Sequence, residues 1–359
     1  MGGLKKLFGI LILLALFLPG MGQENGNNST KKFVPGDFVM EHIQDSYHWH
    51  ITDIGSKQIS ISLPVILYSK YSGLTFFMSN RIQSGEYGGF YLSKSGFYQG
   101  KIVESIVDPT GTPAEYRPMD FSITKDALSL FFVILILLWV FLSIAKHYRK
   151  NPNSAPRGMQ NLFEPIILFI RDEIAIPSIG SERYKKFMPF LLTVFFFIWF
   201  SNMLGIIPLF PGGANLTGNI TITMILAIVV FVITTLSTNK GYWIEIFNNP
   251  EVPWWLKYPI PLMPLVEFTG ILTKPIILMI RLFANILAGH MVAIVFFSLI
   301  FIFGQMSAVA GYGFSVLTIT FTVFMTLLEL LVAFIQAYVF TMLSAIYFGM
   351  AKVDLKHHN

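Results

Sequence analysis

The chain contains no cysteine, and Asp, Glu, Lys and Arg together make up only 13% of its 359 residues. The missing thiol removes disulfide frameworks, thiolate zinc sites, iron–sulfur ligation and cysteine nucleophiles at once. Charge at about half the share of a soluble domain removes an ordinary water-facing fold. Phosphate-binding loops, His-Glu-x-x-His zinc motifs and nucleophile elbows are lacking too, which leaves no residues for an enzyme acting alone. The formal net charge of +5 is modest and is spread as short flanks, not as a nucleic-acid-binding patch. What the sequence has instead is apolar. Hydrophobic residues make up 54% of it, with 35 Phe, gathered into runs of the length that lipid accommodates.

Lys5 and Lys6 precede an apolar run from Leu7 to Leu18, followed by Pro19, Gly20, Met21 and Gly22. That run is short of the roughly 20 residues a span needs, so residues 1–22 read as an export signal, with an uncleaved anchor as the alternative. Residues 23–121 are polar and punctuated by Gly and Pro. Alternation in Gln58–Leu67 and Phe90–Gln99 has a period near two, which predicts a small β-rich extracytoplasmic unit. Glu41, His42, Asp45, His48 and His50 cluster there. His42, His48 and His50 are candidate zinc or copper ligands, against the plainer reading of a polar face on a short helix or strand.

The membrane part, residues 122–359, reads as an all-α multi-pass domain. Its first span, 127–145, ends at Lys146, His147, Tyr148, Arg149 and Lys150, a basic flank that faces the cytoplasm. Leu162–Ile176 pairs an apolar side, Leu162, Phe163, Ile166, Ile167, Phe169, Ile170 and Ile174, with Arg171, Asp172 and Glu173. It suits the cytoplasmic interface. Arg183, Lys185 and Lys186 mark the inner end of a second span, 187–207, and an uncharged loop leads to a third, 220–236. Trp254, Trp255 and Lys257 suit the headgroup level. Two long stretches follow, 265–303 and 314–350, joined by an uncharged loop, Gly304–Gly313, and closed by Lys352, Lys356, His357 and His358. Five transmembrane helices, N-terminus outside and C-terminus inside, satisfy every flank.

As helices the last two stretches would be about 58 and 55 Å long against a hydrocarbon layer of about 30 Å. The implied tilt exceeds the usual range, so either a protein partner holds them or Pro275 breaks the first. Glu267, Lys274 and Arg281 fall seven apart, with Asn285 four further on. Thr322, Glu329 and Gln336 repeat the spacing on the second helix, with Tyr338 nearby. Two polar stripes imply a shared hydrated seam. Arg281 is the decisive residue, since a guanidinium near mid-membrane costs about 2.5–3.5 kcal/mol or more and cannot shed its proton. Glu329 and His290 can change protonation. On periodicity His290 points away from the Arg281 stripe, which leaves a buried polar role and a proton relay both open.

The string PLVEFTGILTKPIILMIRLFANILAGHMV, Pro264–Val292, resembles the signature of subunit a of bacterial F-type ATP synthases, and LELLVAFIQAYVFTMLSAIYFGM, Leu328–Met350, resembles that family's last helix. The resemblance covers about Leu162–Met350. It implies a non-catalytic, proton-translocating stator in the bacterial inner membrane, with its last two helices strongly tilted against a ring of c subunits. Other partners implied are the subunit b peripheral stalk, the remaining ATP synthase subunits and membrane lipid; no cofactor is implied. On this resemblance Arg281 faces the carboxylate of each passing c subunit, with Asn285 and Gln336 beside it. His290 and Glu329 form an acid–histidine pair of the outer half-channel, exchanged between the helices relative to some bacterial members. Glu267 and Lys274 lie toward the cytoplasmic side. The competing expectation is a secondary ion transporter or channel built on Arg281 and Glu329, for which inverted repeats and interrupted helices would be diagnostic.

Overall fold

The computed structural model describes residues 45–54, 57–83, 85–93, 97–107, 113–150, 155–207, 212–248 and 262–351. The expected export signal, His42, Trp254, Trp255, Lys257 and the basic tail from Lys352 lie outside the described residues.

Eight short strands come first: β1 (His48–Ile54), β2 (Lys57–Ser62), β3 (Pro64–Ser69), β4 (Gly73–Met78), β5 (Phe90–Leu92), β6 (Ile102–Val107), β7 (Pro113–Tyr116) and β8 (Met119–Asp120). They pair antiparallel as β1–β2, β4–β3–β8 and β5–β6–β7. Alternation sets the inner face: Val65, Leu67 and Ser69 of β3 are buried while Tyr68 is exposed. Val65, Leu67, Phe77, Phe90 and Ile102 gather with Tyr47 and Ile82 into one small core. Tyr47 donates its hydroxyl to Asp120 Oδ2 at 2.5 Å. Burial first, and the Asp120 carboxylate second, push this phenol well above its ordinary range, which keeps it neutral and a donor. Glu104 is buried because the hydroxyls of Ser69 and Ser72 donate to its carboxylate. The alternating run Phe90–Gln99 stays a strand only to Leu92. A turn takes over, with Gly100 at φ 76° donating to the Ser93 carbonyl at 2.9 Å.

The helices are α1 (Lys125–Lys150), α2 (Met159–Phe169), α3 (Tyr184–Ile206), α4 (Ile220–Leu236), α5 (Lys240–Asn248), α6 (Leu262–Met306) and α7 (Ala308–Met350). Four stretches among the described residues are long and apolar enough to cross a membrane, 125–150, 184–206, 265–289 and 312–350; α4 is as apolar but has only 17 residues. On α1 the apolar side chains Phe131, Leu135, Leu138, Trp139 and Leu142 are exposed while Val133, Val140 and Ile144 are buried. A helix apolar on both its inner and outer sides belongs in lipid. The main core is aromatic and centred on α3. Phe195, Phe196 and Leu191 are fully buried, Phe196 meets Phe141 and Phe163 edge-on, and Phe187 stacks on Phe348 of α7.

Three expectations change. Pro275 does not break α6, which runs unbroken for 45 residues; inside a packed bundle, neighbouring helices hold a proline-containing helix together. Gly304–Gly313 is not a loop, because α6 reaches Met306 and α7 begins at Ala308. A connection with no charge or proline, placed where water is scarce, keeps its backbone bonds by staying helical. The apolar side expected of Leu162–Ile176 is divided. α2 gives way to a π-helical turn, Ile170–Ala175, followed by one helical turn, Ile176–Ile179. The extra residue in that turn rephases the helix, so Phe163, Ile170, Ile174 and Ile179 are buried while Leu162 and Phe169 are exposed. Arg171 and Asp172 pair at 2.7 Å on the outer side.

Candidate functional site

α6 and α7 form an antiparallel hairpin, and its rungs can be followed from the tip downward. Phe303 stacks on Phe314 with ring centroids 3.7 Å apart, and Phe296 meets Phe321 at 4.0 Å. Further down, Gly289 faces Glu329: a Cβ on this glycine would stand 3.3 Å from Glu329 Oε1. Four residues nearer the N-terminus of α6, Asn285 donates from Nδ2 to Gln336 Oε1 at 3.0 Å. The two polar stripes thus meet along one seam, as their seven-residue spacing required.

Arg281 sits one turn before Asn285. Its neighbours Leu278 and Leu282 are 1% and 0% exposed, yet Arg281 is exposed and has no hydrogen bond or ion pair with another described residue. Packing of Leu278 and Leu282 fixes the helix rotation that turns the guanidinium outward. Gln336 is 2% exposed; its Oε1 is taken by Asn285 and its Nε2 has no partner among the described residues. Thr322 also carries a buried, unpartnered hydroxyl. Amide and hydroxyl groups in that state mark places that water or a partner's polar group can enter. Glu329 is half-buried between these two positions.

The remaining expected site residues are more scattered. Lys274 lies two turns before Arg281, about 10 Å along the helix, with Nζ 5.5 Å from the Tyr347 ring centroid. It lines a cavity of about 90 Å³ with Thr234, Thr235, Tyr242 and Tyr347. Glu267, half-buried, is two turns further still and does not line that cavity. His290 follows Gly289 in α6, and its side chain lies outside the described residues. His48 and His50 are both on β1, but the His50 side chain is outside the described residues, as is His42. Among the described residues no three metal-ligating side chains converge.

Sequence reading missed a second polar group at the outer end of α3. Ser201 and Asn202 are 1% and 4% exposed, and the Thr217 hydroxyl donates to Asn202 Oδ1 from the 3-10 turn Leu216–Gly218. A Ser-Asn pair inside an otherwise aromatic span was the available signal.

Two family profiles match the chain: ATP synthase A chain over residues 127–349 and a domain of unknown function, DUF8433, over residues 38–121. ATP synthase subunit a of Chloroherpeton thalassium is 39% identical over 250 residues, covering 68% of this chain and 70% of that protein. The subunit a of Myxococcus xanthus is 41% identical over 247 residues, 67% of this chain and 76% of its own length. That of Chlorobium phaeobacteroides is 42% identical over 245 residues, 66% of this chain and 67% of its own. The chain therefore belongs to the ATP synthase A chain family, that of ATP synthase subunit a.

Proposed function

We propose that this chain is the proton-translocating stator of an F-type ATP synthase, with Arg281 as the fixed charge against which a ring of c-subunit carboxylates turns. The observation that carries the reading is an exposed arginine, unpaired within its own chain, held outward at mid-length of an unbroken 45-residue helix. A cation placed so in lipid is tolerated when an opposite charge from outside the chain meets it. A ring carboxylate is stable while ionised only opposite that charge, and is stable in lipid only when protonated. Two offset half-channels then allow a proton to leave on one side and load on the other only as the ring advances. Arg281, never neutral, blocks the direct path between them.

In this arrangement α4 is the fifth span, the strands lie outside the bacterial inner membrane, and the C-terminus lies in the cytoplasm. Residues 1–22 are the export signal. Glu329 and His290 serve the outer half-channel, Asn285 and Gln336 flank the arginine, and Lys274 with Glu267 lies on the cytoplasmic side. The subunit b stalk holds the chain against the turning ring. The chain performs no catalysis by itself. A secondary transporter is disfavoured, since α6 continues through Pro275 where such a protein would carry an interrupted helix.

The direct test is co-purification of the tagged chain with an oligomeric ring of small two-helix subunits; ion transport by the isolated chain in liposomes would overturn the reading. Glu329→Gln removes a titrating group while keeping its shape and hydrogen-bonding capacity. It should slow proton flux roughly tenfold, less than the 10²–10⁴-fold of an obligatory proton-transfer group, because water can bypass it. Flux through stripped vesicles at several values of outer pH measures this, and parental flux throughout would remove Glu329 from the path.

A further inference from the structure

The strands and the helices meet at a polar assembly that the Arg281 seam leaves unused. Asp126, in the first turn of α1, is 8% exposed, and Asn219, just before α4, donates its Nδ2 to the Asp126 carboxylate at 2.7 Å. Asp45 reaches the same spot from the strand unit, its Oδ1 accepting the Asp126 backbone N–H at 3.1 Å. The Lys125 N–H donates to the Ser46 carbonyl at 2.9 Å. The charges acting on Asp126 are those of Asp45, Lys125 and Lys101. Two carboxylates distant in sequence therefore share one largely enclosed position at the outer end of the first span. Two acids so placed readily hold one proton between them.

Polar space continues on both sides of this pair. Outward, Asp45 lines a cavity of about 240 Å³ together with Ser46, Tyr47, His48 and Ser79, room for several water molecules. Inward, Asn219 is two residues from Thr217, whose hydroxyl donates to Asn202. Asn202 Nδ2 and Ser201 Oγ are more than nine-tenths buried and have no partner among the described residues. Buried donors in that state are the ones bridging water satisfies. α3 runs antiparallel to α7, with Phe187 on Phe348 at one end and Trp199 against Phe334 nearer the other. The next turn of α3, carrying Ser201 and Asn202, thus heads toward the level of Glu329.

We infer that the 38–121 unit is a proton-loading vestibule, whose cavity and Asp45–Asp126 pair gather protons from the outer solution and hand them, through water held by Asn219, Thr217 and Asn202, to the outer half-channel. The inference rests on the chain being the proton-translocating stator. A plain anchoring role for the same bonds makes a different prediction. Asparagine at 126 or at 45 still presents an oxygen to Asn219 or to the backbone N–H, so an anchor survives the amide while a proton carrier does not.

The test uses the intact ATP synthase in inside-out vesicles, stripped of its catalytic head, with proton flux driven by a potassium diffusion potential. The pH of the face that was the cell exterior is varied. Asp126→Asn should lower flux about tenfold at neutral and alkaline outer pH, where protons are scarce, and much less at acidic pH, with water bypass keeping the loss below that of an obligatory group. Asp45→Asn should shift the profile in the same direction by a smaller factor, and Asp126→Glu should restore most of the parental flux. Assembled amide variants that conduct like the parent at every pH overturn the vestibule, as does a loss that is equal at every pH. If Asp126→Asn fails to assemble, Asp45→Asn decides alone, with parental flux again overturning the inference. Arg281→Lys, with the catalytic head attached, separates the two levels. If it blocks pumping while the amide variants behave as the parent, only the vestibule falls; if it pumps, the stator reading falls with it.

Discussion

Replacing Arg281 with lysine abolishes ATP-driven acidification of inside-out vesicles while the complex still assembles. The side chain is exposed and touches no described partner, so the substitution disturbs no packing and leaves Leu278 and Leu282 buried beneath it. What changes is the chemistry of the charge. Guanidinium keeps its proton under any physiological condition and presents a planar fork that a carboxylate can approach from several directions as it passes. An ammonium in a dehydrated site is a point charge that can deprotonate. A neutral lysine neither attracts the ring carboxylate nor blocks proton leak, so coupling is lost by two routes at once. The measurement is quenching of a pH-sensitive dye on ATP addition, with complex abundance checked on native gels. Dye quenching at even a tenth of the parental rate in an assembled Arg281→Lys complex would be incompatible with the assigned role.

Gly349→Ala has the largest expected effect on assembly. A Cβ at this position would lie 2.0 Å from the backbone oxygen of Ser178 and 3.1 Å from its carbonyl carbon. The obstacle is backbone, so no rotamer change relieves it. The last turn of α7 and the turn Ile176–Ile179 must separate, carrying with them Phe348, which is 2% exposed and stacked on Phe187. Overpacking of this kind costs about 1–3 kcal/mol, and more when two helices are forced apart. We expect several-fold less assembled complex and a lower Tm in detergent. Gly270→Ala is the matched control: it lies in α6 with nothing within 4 Å of the added methyl, and should be neutral or stabilising by about 0.5–1 kcal/mol. Equal abundance of the two variants would mean that α7 does not pack against Ser178 this closely in the assembled enzyme.

Reading order along the chain explains what was visible beforehand. Helical repeats announce themselves locally, so the apolar runs, their basic flanks and the seven-residue stripes through Arg281 and Glu329 could be read directly, and the stripes do meet in the Asn285–Gln336 hydrogen bond. Length of an apolar run is a weaker guide to where a helix stops. Gly304–Gly313 looked like a loop because glycines bracket it, yet backbone groups away from water keep their helical bonds whatever the glycine count. Pro275 misled for the same reason. The π-helical turn at Ile170–Ala175 left no composition signal, and it moved Leu162 and Phe169 from the expected buried side to the surface.

Composition and spacing alone were enough to establish a membrane chain, its two long polar-striped helices and the arginine at their centre, because lipid penalises every buried charge and so makes each survivor conspicuous. Pairing across distant segments required the folded chain. Nothing in the order of residues places Asp45 against Asp126 and Asn219, or Asn202 against Thr217, since a hydrogen bond depends on where two backbones come to rest and not on the identity of either residue. The outward turn of Arg281 was settled in the same way, by the burial of Leu278 and Leu282 on the opposite flank of its helix.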